Sequence, residues 1–306
     1  MIMNKRGRYA YYFLIPFFST YLMFTVYPIL YSLFLSFMDL EPLSGNLTFV
    51  KLTNYTRLFS SGYFLQSFFN TFTIWLISII PQLTLALLLS LMMQSKWIRG
   101  RSTFRSIFYF PNLVTPVTIG VLFGMLFSHP GGAVNNILLA LNLTKEAINF
   151  ENSPLLSRLV IGLAICWQNF GYNILFFTAG LNSISPSIYE AAEIDGANAW
   201  QKATRITLPL MKPILIYVMI TSVIGGLQMF DVSKMVFTEV PGDRTTTMVQ
   251  YMYESAFERW QIGYGASVSY GIFLIIAILS LLSYRVISGA PANEKKRRMN
   301  LRWRKK

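Results

Sequence analysis

Charge is scarce in this 306-residue chain: 13% of its residues are Asp, Glu, Lys or Arg, against about a quarter in an ordinary soluble domain. Cysteine and histidine are scarcer still, with one of each, Cys166 and His129. A single thiol excludes a disulfide within the chain. A single histidine with no Cys, Asp or second His beside it excludes a clustered metal centre, so His129, ahead of Pro130-Gly131-Gly132, reads as a turn residue. No Gly-x-x-x-x-Gly-Lys-Ser/Thr segment occurs, which excludes a phosphate-binding loop of that type. The central parts of the long apolar runs carry no ionisable residue. That absence speaks against a proton- or sodium-coupled carrier, which needs a buried carboxylate, and no internal repeat supports such a carrier either. It also removes the paired acid and base of an intramembrane enzyme.

What is present is apolar sequence, 54% of the chain. Six runs approach the roughly 20 residues that a bilayer core of about 30 Å requires: 11–37, 71–93, 107–127, 159–181, 214–230 and 266–284. Lipid leaves backbone amides no partner, so these runs predict helices, and continuous apolar blocks are not the alternating strands of a barrel. The fold class expected is therefore an all-α integral membrane protein of about six transmembrane helices, forming one membrane domain over 1–306. The first run is too long for a signal peptide and lacks a small-residue cleavage site, so it is expected to remain in the mature protein. If the N-terminus is cytoplasmic, the inner segments carry a net +15 and the outer ones −2. This is the bias of the positive-inside rule and puts both termini in the cytoplasm. Most of the excess sits in the tail 285–306, which reads as a topology anchor touching anionic lipid and not as a nucleic-acid site. In the first outer segment, Tyr55, Phe59, Tyr63, Phe64, Phe68 and Phe69 are expected at the headgroup level.

Two spans contain polar clusters. The fourth has Trp167-Gln168-Asn169 and Tyr172-Asn173; the fifth has Thr221-Ser222, Gly225-Gly226-Leu227-Gln228 and, at its outer end, Asp231. The residues of the fourth span do not fall on one helical stripe. Trp167 shares a face with Gly171, and Asn169 with Tyr172 and Asn173. Two readings fit: interhelical hydrogen bonds that hold a bundle together, or an aromatic-lined cavity for an uncharged polyhydroxylated solute.

The segment 185–212 between the fourth and fifth spans carries the most specific pattern. Ser185-Pro186 opens a helix, Gly196 permits the positive-φ turn that stops it, and a second short helix runs from about Ala199 to Ile206, limited by Pro209. Tyr189, Ala191, Ala192, Ile194 and Ala197, rimmed by Glu190, Glu193 and Asp195, make an apolar knob suited to a groove on another protein, or to packing on the chain's own bundle.

The order Glu190-Ala191-Ala192, Asp195-Gly196-Ala197 and Ile206-x-Leu208-Pro209 resembles the cytoplasmic signature loop, the EAA motif, of permease subunits in bacterial ATP-binding-cassette importers. Tyr12-Phe13-Leu14-Ile15-Pro16, Tyr27-Pro28, Asn54-Tyr55, Leu58-Phe59, Phe257 and Gly263-Tyr264-Gly265-Ala266 resemble the first permease of the carbohydrate-uptake, maltose and multiple-sugar type. The resemblance implies a subunit of the bacterial inner membrane with no catalysis of its own, forming the path of a neutral sugar or oligosaccharide by alternating access. It implies a heterodimer with a homologous permease, two ATPase subunits holding ATP and Mg, and an extracytoplasmic solute-binding protein. Glu190, Ala191, Ala192, Asp195, Gly196 and Ala197 would then dock on the ATPase, with Glu190 pairing to a basic residue there. Ala203 departs, standing where members often carry a bulky aromatic. Substrate contacts implied are Trp167, Gln168, Asn169, Tyr172, Ser222 and Gln228. Ile165, Gly226 and Met229 replace amides of the maltose-type relatives, so maltose itself does not carry over. Importers of glycerol phosphate look similar and are the alternative; that substrate calls for a basic residue in the cavity.

Overall fold

The computed structural model describes residues 5–40, 45–94, 98–237 and 245–289, with side chains from Tyr12 onward. The basic tail from Lys295 to Lys306, with Lys96 and Trp97 of the first inner loop, lies outside the described residues. In chain order the helices that matter are α1 (Tyr12–Leu35), α2 (Gly62–Met92), α3 (Arg101–Leu113), α4 (Pro116–Leu126) and α5 (Pro154–Asn182). They continue with α6 (Pro186–Ile194), α7 (Ala199–Leu210), α8 (Lys212–Leu227), α9 (Asp231–Val236) and α10 (Ile262–Ser288). Helices α1, α2, α5 and α10 are each long and apolar enough to cross a membrane, and the bent pairs α3 with α4 and α7 with α8 raise that number to six. The all-α class read from the sequence is the class observed.

The helices depart from the sequence reading at four points, two of which have local causes. Helix α2 starts at Gly62 and not near Thr71; its 31 residues reach about 46 Å, well past a hydrocarbon layer of about 30 Å. The third run, expected as one span, bends by 90° between α3 and α4. Pro116 disfavours the helical region for Thr115, which is extended (ψ 143°), as is Val114 (ψ 140°), and the Thr115 hydroxyl accepts the Thr118 N–H to restart the helix. Pro209 does not end the second loop helix: α7 runs on to Leu210 through a π turn at Lys202–Thr207. The wider turn accommodates a residue that has no N–H and that crowds the carbonyl four places back. The bend of 70° comes instead at Met211, and α8 then stops at Leu227, three residues before the expected end.

The described residues group into two compact units, drawn from 1–65 with 249–274 and from 66–248 with 275–306. The first holds a short antiparallel hairpin, β1 (Met38–Leu40) with β2 (Leu47–Phe49), which the apolar pattern did not indicate. Asn54 Nδ2 donates to the carbonyls of Ser36 and Met38 at 3.0 Å each and ties the hairpin to the helix Thr53–Ser60. The aromatics expected at the headgroup level divide: Phe59, Tyr63 and Phe69 are exposed, but Phe64 is buried against Tyr251, and the Tyr55 hydroxyl bonds Ser36.

In the second unit α3 packs on α5, and α9 packs on α4. Its core joins Ala86 and Met93 near the end of α2, Ile174, Phe177 and Leu181 of α5, and Met211 and Val218 around the start of α8. Ile184 and, from the side, Tyr189 of α6 join the same cluster, so the loop between α5 and α8 is seated on the bundle that supports the site.

Candidate functional site

A cavity of about 340 Å³ opens in the second unit, inside the range of roughly 300–1,000 Å³ usual for small-molecule sites. Helix α2 contributes Trp75, Ser78 and Gln82; α5 contributes Ile165, Gln168, Asn169, Tyr172 and Asn173. Helix α8 adds Thr221, Ser222, Gly225 and Gly226, and the non-helical link after it adds Gln228, Met229 and Phe230, followed by Asp231. Five of the six residues read as substrate contacts therefore meet on one surface: Gln168, Asn169, Tyr172, Ser222 and Gln228.

Trp167 is the exception and is not on that wall. It points about 100° away from Gln168 on the same helix and packs on Phe123 of α4, ring centroids 5.9 Å apart. The face that does line the cavity repeats at Ile165, Gln168/Asn169 and Tyr172/Asn173, spacings of three and four that form a broad stripe. Trp75, Ser78 and Gln82 went unread in the sequence, although their own spacing of three and four was the available signal.

The amides on this wall have unequal duties. Gln168 donates from Nε2 to the Val114 carbonyl at 3.2 Å, a carbonyl set free by the break between α3 and α4. Asn169 accepts from Asn112 at 3.4 Å and donates to the Ile165 carbonyl at 2.9 Å. Both thus brace the bent span as well as line the cavity. Asn173 differs: it is 3% exposed and its Nδ2 has no hydrogen-bond partner among the described residues. A buried donor left in that condition costs about 1–3 kcal/mol, which a solute hydroxyl accepting from it offsets. Trp75 closes another wall. Its indole N–H donates to the Ser222 carbonyl at 3.1 Å, and its ring lies so close over Gly226 that a Cβ there would stand 2.0 Å from Cδ1. No Lys, Arg or His is on the wall among the described residues; the ionisable groups there are Asp231 and the phenol of Tyr172.

The second feature is the elbow α6–α7. Ser185 takes the extended conformation of an N-cap ahead of Pro186, but its hydroxyl bonds that of Ser187 and caps no backbone N–H. At the far end Gly196 sits at φ +75°, and Ala197 N–H reaches back to the Ala192 carbonyl at 2.9 Å, closing α6 in the six-to-one pattern that a left-handed residue permits. Asn198 and Gln201 then form a reciprocal capping box that opens α7. Two cross-links hold the arms together: Lys202 to Glu193 at 2.8 Å, and the Tyr189 and Thr207 hydroxyls at 2.9 Å.

This geometry corrects the composition of the knob. Tyr189 faces inward onto the bundle core and Ala192 is buried, because α6 turns that side toward α5 and α7. The apolar groups presented outward are Ile194 (87% exposed) and Trp200 (75%), with Ile188 beside them; Trp200 was not singled out in the sequence. Glu190, Ala191 and Asp195 are exposed, and Glu190 and Asp195 form no ion pair among the described residues.

Comparison with known proteins places this architecture. Residues 71–289 match the family model described as binding-protein-dependent transport system inner membrane component. The arabinooligosaccharides transport system permease protein AraP of Bacillus subtilis (strain 168) is 35% identical over 281 residues, covering 90% of this chain and 87% of that protein. The lactose transport system permease protein LacF of Rhizobium radiobacter is 36% identical over 276 residues, covering 89% of this chain and 91% of its own length. Among solved structures, a chain of a bacterial ABC transporter involved in the import of the acidic polysaccharide alginate superposes with a TM-score of 0.80 at 23% identity, covering 93% of this chain and 96% of that one. A long polar-lined helix pair, a capped elbow between two spans and a family match over most of the chain converge: the protein belongs to the family of inner membrane components of binding-protein-dependent transport systems.

Proposed function

We propose that this chain is the permease subunit of an ATP-driven importer and forms the translocation path for a neutral sugar or oligosaccharide. The observation that carries the solute class is the cavity between α2, α5 and α8, where amides, hydroxyls and the Tyr172 ring meet and Asn173 offers an unpartnered donor. Amide and hydroxyl groups suit sugar hydroxyls, which both donate and accept. Relatives named for arabinooligosaccharide and lactose transport support the same class.

The elbow supplies the drive. Glu190, Ala191, Asp195 and Gly196, with Ala197 beside them, lie along its exposed rim next to Ile194 and Trp200, a charge-edged apolar surface of the kind that enters a groove on a partner. The partner in this reading is an ATPase subunit, which binds ATP and Mg and hydrolyses the nucleotide; two such subunits and a second, homologous permease complete the complex. ATP-driven closure of the ATPases moves the elbow, and the core beneath it transmits that motion to α5 and α8. Solute enters from an extracytoplasmic binding protein, and the charge bias of the loops sets both termini in the cytoplasm. Helix α1, exposed along its length apart from its last residues, is then covered by lipid or by the second permease.

The test is ATP hydrolysis by the reconstituted complex in lipid, with its binding protein, against neutral sugars, oligosaccharides and glycerol phosphates. Stimulation by a neutral saccharide is expected. Stimulation by a phosphate ester alone would keep the importer and overturn the solute class, and failure of any ATPase to assemble would overturn the importer.

A further inference from the structure

The cavity has a sign. Its wall is made of amides, hydroxyls, glycines and aromatic rings, with a single carboxylate, Asp231, at the link between α8 and α9. No cationic side chain shares the wall among the described residues. The nearest cation in sequence, Lys234, is one turn along α9 and does not itself line the cavity; its ammonium lies 5.4 Å from the centroid of the Phe230 ring, which does. Asp231 is exposed and forms no ion pair or hydrogen bond among the described residues. A carboxylate facing a confined space among apolar helices acts through a lower effective dielectric than bulk water provides, and its field reaches a solute several ångströms away.

We propose that Asp231 is a specificity-determining residue, a charge filter that admits neutral or amine-bearing saccharides and disfavours those carrying carboxylate or phosphate. The saccharide part rests on the function proposed above; the sign of the cavity does not. A purely structural role for Asp231, as an acidic residue in the first turn of α9, needs only an oxygen acceptor and predicts no discrimination by charge.

The two roles separate in a measurement that needs neither transport nor ATP. The lone native thiol, Cys166, is buried and is replaced by alanine, and Ser222→Cys places a reporter on the cavity wall. The full chain, in membranes with its partner subunits, is treated with a trimethylammonium-ethyl or a sulfonato-ethyl methanethiosulfonate. The ratio of their rates is divided by the same ratio on a free small thiol. Asp231 also raises the pKa of any nearby thiol, but that slows both reagents equally and drops out of the ratio. The cationic reagent is expected to be favoured by about fivefold or more, and the preference should shrink as salt rises from about 0.01 to 1 M. Asp231→Asn, which keeps size and an acceptor, should bring the ratio close to one, and Asp231→Lys should invert it.

A ratio unchanged in Asp231→Asn, or an anionic preference in the unaltered cavity, overturns the proposal. The salt dependence of the unaltered cavity decides the matter if neither Asp231 variant reaches the membrane: a salt-insensitive ratio also overturns it. Should the ratio behave as expected while a phosphate ester stimulates ATP hydrolysis, the charge stands and the filter falls.

Discussion

The elbow and the cavity belong to one unit and are built by opposite means. The elbow is held by contacts close in sequence: Ala197 to Ala192, Asn198 to Gln201, Glu193 to Lys202. It is open, so that a Cβ at Gly196 would meet nothing within 4 Å. The cavity is held by contacts remote in sequence: Trp75 to Ser222 and Gln168 to Val114. It is crowded, so that a Cβ at Gly226 would strike Trp75. An open, locally built element tolerates changes of volume but not of backbone conformation, and a crowded, remotely built one the reverse. Substitutions that touch one property at a time test that contrast.

The largest effect is expected at Gly196. A β-branched residue at φ +75° is strained by about 1–2 kcal/mol whatever the space around it, so Gly196→Val shifts the elbow away from its turn. Uptake by the reconstituted complex should fall about tenfold or more, while ATP hydrolysis continues and the chain reaches the membrane in normal amount. Gly196→Asn, which tolerates the left-handed region, should recover much of the loss. Normal uptake by the valine variant would remove the docking role from the elbow.

Gly226→Ala is the complementary change, harmless to a helical backbone but overpacked against the Trp75 ring. A cost of about 1–3 kcal/mol is expected, read as a lower unfolding temperature of the purified complex. Because Trp75 forms a wall of the cavity, the solute concentration for half-maximal uptake should rise as well. A variant that is destabilised but takes up solute at unchanged concentration would separate the Trp75 wall from solute binding.

The contrast also explains what could be read from the chain without its structure. The elbow was legible because each of its signals is local: Ser185-Pro186, the ordered Glu190 to Ala197 pattern, a glycine where φ is positive. Even there, which side of α6 faces out was not, since burial of Tyr189 depends on α5 and α7. The spans were legible as apolar runs, but the bend at Val114 was not: its local signal, Thr115-Pro116, sits inside an otherwise continuous apolar run, and Gln168, which takes up the freed carbonyl, is more than fifty residues away. The cavity was half legible. Its α5 and α8 residues stood out as polar exceptions in apolar runs, whereas Ser78 and Gln82 look like isolated small exceptions until α2 is laid against α5 and α8. Trp167 misled because an aromatic beside two amides suggests a sugar platform, and one residue of helical rotation turns it onto Phe123.

Within the cavity, two amide-to-leucine changes should diverge. Gln168→Leu strands the Val114 carbonyl, a loss of about 1–3 kcal/mol in stability, with the bend between α3 and α4 loosened. Asn173→Leu removes a donor that has no partner among the described residues, so stability should hold or rise slightly while uptake declines. Thermal unfolding and uptake, measured on both, should rank the variants in opposite orders. If Asn173→Leu unfolds as readily as Gln168→Leu, the amide is a structural member and not a solute contact.

The smallest effect is expected where the elbow bonds to itself. Glu193 is largely exposed and its pair with Lys202 joins two arms already fixed by the Ala197–Ala192 turn, the capping box and the Tyr189–Thr207 bond. An exposed pair of this kind is worth about 0–1 kcal/mol, so Glu193→Gln should leave uptake and unfolding within about twofold and a degree or two. Glu190, three residues back on α6, is exposed too and has no ion-pair partner among the described residues, so its replacement breaks no ion pair there. Its carboxylate matters only if another subunit supplies the cation. Glu190→Gln should therefore leave unfolding of the isolated chain unchanged yet reduce copurification of the ATPase subunit, and more so at low salt than at high, because screening already weakens the native pair in concentrated salt. Equal behaviour of the two variants in the copurification assay would mean that the elbow engages its partner through Ile194 and Trp200 alone, with the acidic rim serving only solubility.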